Sequence, residues 1–154
     1  MSIQITVLGT EQLAAKFDQV TPAFLRRMKE GMTSAMSMLS SYVKREKLSG
    51  QVLKNRTGTL RRSINAKITV GTDSVTGQVG TNLVYAKAHE FGATIEAKRA
   101  KFLAFRGRDG FMIFRKRVVI PPRPFLAPSF RENKGAIFAK LQIAGRQAAH
   151  DLRA

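Results

Sequence analysis

Apolar residues recur at spacings of three and four from Leu25 through Met28, Met32, Ala35, Met36, Leu39 and Tyr42 to Val43. That period fits one face of an α-helix and does not fit a strand. The opposite face carries Arg26, Lys29, Glu30, Ser34, Ser37 and Ser41. Thr21 can cap the start, and Pro22 suits the first helical position, where an N–H has no helical partner. Lys44, Arg45 and Lys47 crowd the negative C-terminal end, and Gly50 follows as a stop. A helix to about Lys47 presents a broad apolar stripe that must be covered, so the rest of the chain has to supply a second layer. Met28, Met32 and Met36 read as core filler, with a neighbouring subunit as the other possible cover.

The remaining patterns are shorter. Ile3, Ile5 and Val7 alternate as a first strand, and Thr10 can cap a short helix over Glu11 to Gln19. Ser49 to Gly58 reads as a loop and Thr59 to Arg62 as a single helical turn. Ile64 to Val70 and Val75 to Thr81 alternate as a hairpin, and Leu83 to Phe91 reads as a short helix closed by Gly92. Thr94 to Glu96 is extended. Phe102 to Phe105 and Phe111 to Phe114 flank an Asp109-Gly110 turn, which predicts a second hairpin, extended by Val118 to Ile120. Pro121-Pro122-Arg123-Pro124 prevents regular pairing. A last helix runs from about Phe125 or Pro128 to Leu152 and carries Phe130, Ile137, Phe138, Leu141, Ile143 and Ala144. This order predicts an α+β fold: a long N-terminal helix and a C-terminal helix packed on a small antiparallel sheet, with a protruding basic hairpin at about 97–118. The 154 residues suit one domain spanning 1–154.

Charge narrows the function classes. Lys and Arg number 27 against 10 acids, a formal net charge of +17, and the excess is present in both halves of the chain. Such a surface attracts nucleic acid, anionic lipid or acidic protein. There is no cysteine, which removes disulfides, thiolate metal sites and cysteine catalysis. The segment Met1 to Val7 lacks the order of a signal peptide, and no apolar run approaches the ~20 residues that span a bilayer. A soluble protein made in the cytoplasm is expected.

Catalytic constellations are absent from the pattern. His89 and His150 are the only histidines, and His89-Glu90 lacks the second histidine of a zinc-binding helix. Both read as surface or helix-end histidines. The acids are scattered singly, so no acid/base couple or cation cluster is spaced for work. No cofactor, metal or enzymatic activity is expected. The second hairpin is more informative. Lys98, Arg99, Lys101, Arg106, Arg108, Arg115, Lys116 and Arg117 surround Phe102, Phe105, Phe111 and Phe114, with Asp109 the one acid between Lys98 and Arg117. The phenylalanines read as core. Cations this dense repel one another unless an anion offsets them, which points to duplex DNA or an acidic partner.

Three segments together resemble one family. They are Thr57-Gly58-Thr59-Leu60-Arg61-Arg62-Ser63-Ile64, Val84-Tyr85-Ala86-Lys87-Ala88-His89-Glu90-Phe91-Gly92, and Ile120-Pro121-Pro122-Arg123-Pro124-Phe125-Leu126-Ala127-Pro128. Their sequence and order are similar to the tail-completion, head–tail joining or virion morphogenesis group of tailed phages and prophages, over about residues 10 to 150. A smaller residue often stands at the place of Pro122 in that group. The motif residues Gly58, Leu60, Arg61, Tyr85, Glu90, Phe91, Gly92, Pro121, Arg123, Pro124, Phe125 and Leu126 serve mainly the fold, with interface roles for a minority. Gly58 can supply a positive φ ahead of Leu60, and Gly92 can end a helix in the left-handed region. Tyr85 and Phe91 can anchor the short helix, and Glu90 can pair with Arg61 or Arg123. The stiff proline run can carry Phe125 and Leu126 into a fixed pocket.

The resemblance implies a non-enzymatic virion protein of the neck or tail, assembled in the host bacterial cytoplasm. It implies a homo-oligomeric ring, six-fold by family expectation, between a tail terminator or tail tube protein and head-completion or connector proteins. The interface elements would be the long helix, the Pro121 to Pro128 arm and the C-terminal helix. The basic hairpin would line the channel that duplex DNA crosses, and no membrane is involved. The rivals are a non-specific cytoplasmic nucleic-acid-binding protein, which explains the charge and not the ordered motifs, and an enzyme such as a nuclease or lysis factor, which lacks clustered acids and histidines.

Overall fold

The computed structural model describes residues 1–8, 22–53, 57–98, 100–107 and 109–151. The short helix expected over Glu11 to Gln19, and the caps at Thr10 and Thr21, lie outside the described residues. Strand β1 (Ser2–Leu8) is followed by the long helix α1 (Pro22–Tyr42) and a π-helical turn, Val43–Lys47. Then come α2 (Thr59–Ser63), β2 (Asn65–Val70), β3 (Ser74–Gly80), α3 (Val84–Phe91), β4 (Ala93–Glu96), β5 (Leu103–Arg106), β6 (Met112–Arg115), β7 (Arg117–Ile120) and α4 (Leu126–Asp151). The class is mixed helix and sheet, with small antiparallel sheets and a C-terminal helix.

The first sheet has the order β1-β3-β2, antiparallel throughout. β3 alternates half-buried and buried residues, because only one of its faces meets a helix. Val75, Gly77 and Val79 point inward, opposite Val7, Ile5 and Ile3 of β1 and Val70, Ile68 and Ala66 of β2. The outer face is a polar ladder, on which Gln78 Nε2 donates to Gln4 Oε1 at 2.7 Å.

α1 lies on this inner face and buries Met28, Met32, Ala35, Met36 and Leu39. The methionines are core, as their spacing predicts. Gly77 sets the approach of helix to sheet: a Cβ there would stand 2.5 Å from Met32 Sδ and 2.7 Å from Met36 Cγ. α4 runs antiparallel across α1. Gly31 faces Ala144 so closely that a Cβ at Gly31 would fall 2.4 Å from the Ala144 Cβ. Ion pairs tie α4 to the start of α1, Arg27 to Asp151 at 2.7 Å, and to the π-helical turn that follows it, Lys47 to Glu132 at 2.8 Å. Each is solvent-accessible, so they orient the helices more than they stabilise them.

The segment from Ala93 to Ile120 builds no further layer. β7 pairs with β4, and β5 pairs with β6. The sequence joined Val118 to Ile120 to the hairpin alone; the structure pairs these residues with Ala93 to Ile95. Ala97 N donates to Lys116 O at 3.0 Å, which links the two ladders. The result is one two-stranded arm from Ala93 to Ile120. Ala97 meets Lys116 while Leu103 meets Arg115, so the register shifts between the two ladders.

Gly77→Val is expected to destabilise the fold by about 1–3 kcal/mol through overpacking against the two methionines. Urea unfolding followed by circular dichroism measures it. A loss below about 0.5 kcal/mol would mean that α1 can lift from the sheet without cost.

Candidate interaction surface

The arm has no core of its own. None of the residues of β4, β5, β6 and β7 is buried. In a two-stranded ribbon, cross-strand partners share a face. Leu103, Phe105, Ile113 and Arg115 therefore lie on one face of the β5–β6 hairpin, and Ala104, Arg106, Met112 and Phe114 lie on the other. Phe114 is 59% exposed, Met112 51%, Phe105 39%, and Phe111 at the tip 73%. The expectation that the hairpin phenylalanines form core is overturned. The helices and the three-stranded sheet already fill the interior, and neither face of the ribbon packs into it.

Lys98, Lys101, Arg106, Arg115, Lys116 and Arg117 are exposed, and among the described residues none of them has an ion-pair partner. Arg99 and Arg108 lie outside the described residues. Asp109 is occupied by the turn, where its Oδ1 accepts the Phe111 N–H at 3.3 Å. Gly107 N closes the hairpin on Phe111 O at 2.7 Å, and Gly110 takes a φ of 86°.

The root of the arm is where two of the sequence motifs meet. Glu90, 4% exposed, points its carboxylate at the start of α4. Oε2 accepts the amides of Phe125 at 2.7 Å and Leu126 at 3.0 Å, and Oε1 accepts the amide of Ala127 at 2.8 Å. Pro128 has no N–H to satisfy. Glu90 thus caps a helix distant in sequence, where the amide groups and helix dipole favour an anion. The pairing with Arg61 or Arg123 is overturned: both guanidiniums are exposed and unpaired among the described residues, and backbone amides hold the carboxylate instead. Arg123 contributes its own amide, which donates to His89 O at 2.6 Å.

Phe125 and Leu126 are buried, as the stiff Pro121 to Pro124 segment implied, and Ser129 is buried beside them with its hydroxyl on Phe125 O. Gly92 leaves α3 with a φ of 74°, and a Cβ there would be 3.0 Å from Ile120 O and 3.1 Å from Pro122 Cδ. Tyr85 and Phe91 do not anchor α3 inward. They are 44% and 64% exposed, and Ala86 and Glu90 form the buried side. The Gly58 segment sits apart, in front of α2, with Gly58 at φ 70° and Leu60 packed against the core. Ser63 and Thr81 join α2 to the end of β3 through their hydroxyls at 2.6 Å. No spacing rule marks that pair.

His89 is a helix-end residue, as expected, and is half-buried. Its Nδ1 is buried and has no hydrogen-bond partner among the described residues, and its ring meets Tyr85 edge-on. Burial first, then the nearby Arg123 charge, lowers its pKa from the ordinary 6.5. Among the described residues no three His, Cys, Asp or Glu side chains form a metal-holding group, and no helix is long and apolar enough to cross a membrane.

Apolar side chains are also exposed on two helices outside the arm, with Val84 of α3 at 90%. Phe138 and Ile143 of α4 are 50% and 54% exposed. Compared with known families, residues 33–143 match the model of the phage virion morphogenesis family. No curated protein and no solved structure matches the chain.

Replacing Glu90 by alanine strands three buried amides and is expected to cost about 3–5 kcal/mol in denaturant unfolding. Glu90→Gln, which turns an N–H₂ toward a backbone N–H, is expected to cost about 2 kcal/mol. An alanine variant within about 1 kcal/mol of the wild type would show that water replaces the cap. His89 adds a pH dependence. Its folded pKa lies below its unfolded one, so its contribution is full above 6.5 and is lost as pH falls through the folded value. Urea midpoints should decline as pH drops below 6.5, and His89→Gln should flatten that decline before the carboxylates begin to titrate.

Proposed function

We propose that this chain, which belongs to the phage virion morphogenesis family, is a non-catalytic neck or tail-completion subunit that forms a ring where head and tail join. Its membership places it in phage particle assembly and in the virion. The finer reading is carried by one observation: apart from the arm, the chain exposes apolar side chains on two separate helices. One set is Val84, Tyr85 and Phe91 on α3; the other is Phe138 and Ile143 on α4. A head-to-tail ring needs two different faces per subunit, one to give and one to receive. A monomer with a single docking face would not need both.

A six-fold ring matches the symmetry expected of such tails. Its neighbours are a tail terminator or tail tube protein on one side and head-completion or connector proteins on the other. The net charge of +17 suits a ring with duplex DNA passing through it. Diffuse charge without base readout attracts phosphate while leaving the DNA free to slide. The subunit is made in the bacterial cytoplasm and ends in the particle.

A second reading, non-specific nucleic-acid binding outside the particle, draws on the unpaired cations of the arm. Deleting the gene separates the two. Electron microscopy of the lysate should show full heads and separate tails that fail to join, and adding the purified protein should restore joined, infectious particles. Normal particles from the deletion would remove the neck reading and leave the nucleic-acid one.

A further inference from the structure

We infer that the β5–β6 hairpin is an insertion arm for a different protein of the particle, one that offers an apolar groove with an acidic rim. This rests on the assembly role proposed above and assigns the hairpin to a protein partner in place of the DNA channel.

Three observations select that occupant. The hairpin is apolar on both faces, with Leu103, Phe105 and Ile113 on one and Ala104, Met112 and Phe114 on the other, and no residue of either strand is buried. Covering such side chains stabilises by roughly 25 cal/mol per Å² of apolar area removed from water. Duplex DNA cannot cover both. A ribbon in the major groove turns one face to the bases and leaves the other in solvent. A protein groove encloses both faces of a ribbon two strands wide.

The second observation is charge. Each apolar face carries its own arginine, Arg115 on the first and Arg106 on the second, both exposed and without an ion-pair partner among the described residues. Cations at the margin of an apolar patch call for carboxylates at the margin of its receptor. A second copy of this chain is a poor receptor. It holds 10 acids against 27 basic residues, and Glu30, Glu46, Glu132 and Asp151 are already in ion pairs while Glu90 is buried on backbone amides. The partner is therefore a different and more acidic chain.

The third observation is the root. Glu90, Gly92 and the Arg123 amide fix both ends of the arm to the body, so the hairpin is presented from a held base. Holding a binding element near its bound geometry lowers the entropy lost on docking.

The test uses heads and tails isolated from a lysate of phage deleted for this gene. Three forms of the full chain are compared: wild type, Phe105→Ser with Phe114→Ser, and Arg106→Gln with Arg115→Gln. Each is assayed for co-sedimentation with heads and with tails, and for a mobility shift of short duplex DNA. Neither pair packs into the core, so thermal melts should match the wild type. The phenylalanine variant is expected to lose about tenfold or more in binding to one of the two particles, and to keep its DNA affinity within about twofold. The arginine variant should lose particle binding most at low salt, where the charge contribution is least screened. If the wild type binds a particle and the phenylalanine variant binds it equally, the insertion arm is overturned and the neck reading stands. If, in addition, only the arginine variant loses DNA, the hairpin faces the channel. Should the wild type bind neither heads nor tails, both readings fall.

Discussion

One buried carboxylate ties the helix before the arm to the helix after it. Glu90 lies on α3, and the three amides it accepts open α4, 35 to 37 positions later. Between them the chain leaves the body at Gly92, runs out along β4 and β5, turns, and returns along β6 and β7 to Pro121. Without the carboxylate, the first turn of α4 would begin with buried, unpaired amides. α4 would also lose its fixed start, and α4 is the helix that closes the core over α1. The stability of the core and the placement of the arm thus depend on the same group.

The arrangement divides the molecule by physical role. The body is closed by close approach: Gly77 lets the methionines of α1 sit on the sheet, and Gly31 lets α4 sit on α1. The arm's strands bury none of their residues, and it is held by ladder and turn hydrogen bonds. A two-stranded ribbon of this size is at best marginally stable alone. Its held root and the ladder running through Ala97 and Lys116 are what keep it formed in the free subunit. A body that is complete without its arm suits a subunit whose partners arrive during assembly.

The same division explains what the residues revealed. The methionine stripe, the mixed class and the C-terminal helix were legible, because periodicity reports directly which face of an element is covered. The buried ends of the third motif, Phe125 and Leu126, were legible for the same reason. The hairpin phenylalanines misled, because alternation in a strand has the same form whether the apolar face meets a core or awaits a partner. Tyr85 and Phe91 misled likewise: aromatic residues on a short helix suggest anchoring, yet Ala86 and Glu90 take the inner side. Glu90 invites an arginine partner in the sequence and takes backbone amides in the structure. Nearby arginines are visible in a sequence, while the amides of a distant helix start carry no letter of their own.

By itself the sequence determined the element types, the basic excess, the lack of cysteine chemistry and the positions where only glycine fits a left-handed turn. These follow from local sterics, period and composition. Only the tertiary structure decided that β7 returns to β4, that Glu90 caps α4, and that the aromatic residues of the arm face solvent on both sides. Those outcomes depend on which surfaces the body had already filled, and that is a property of the packed whole.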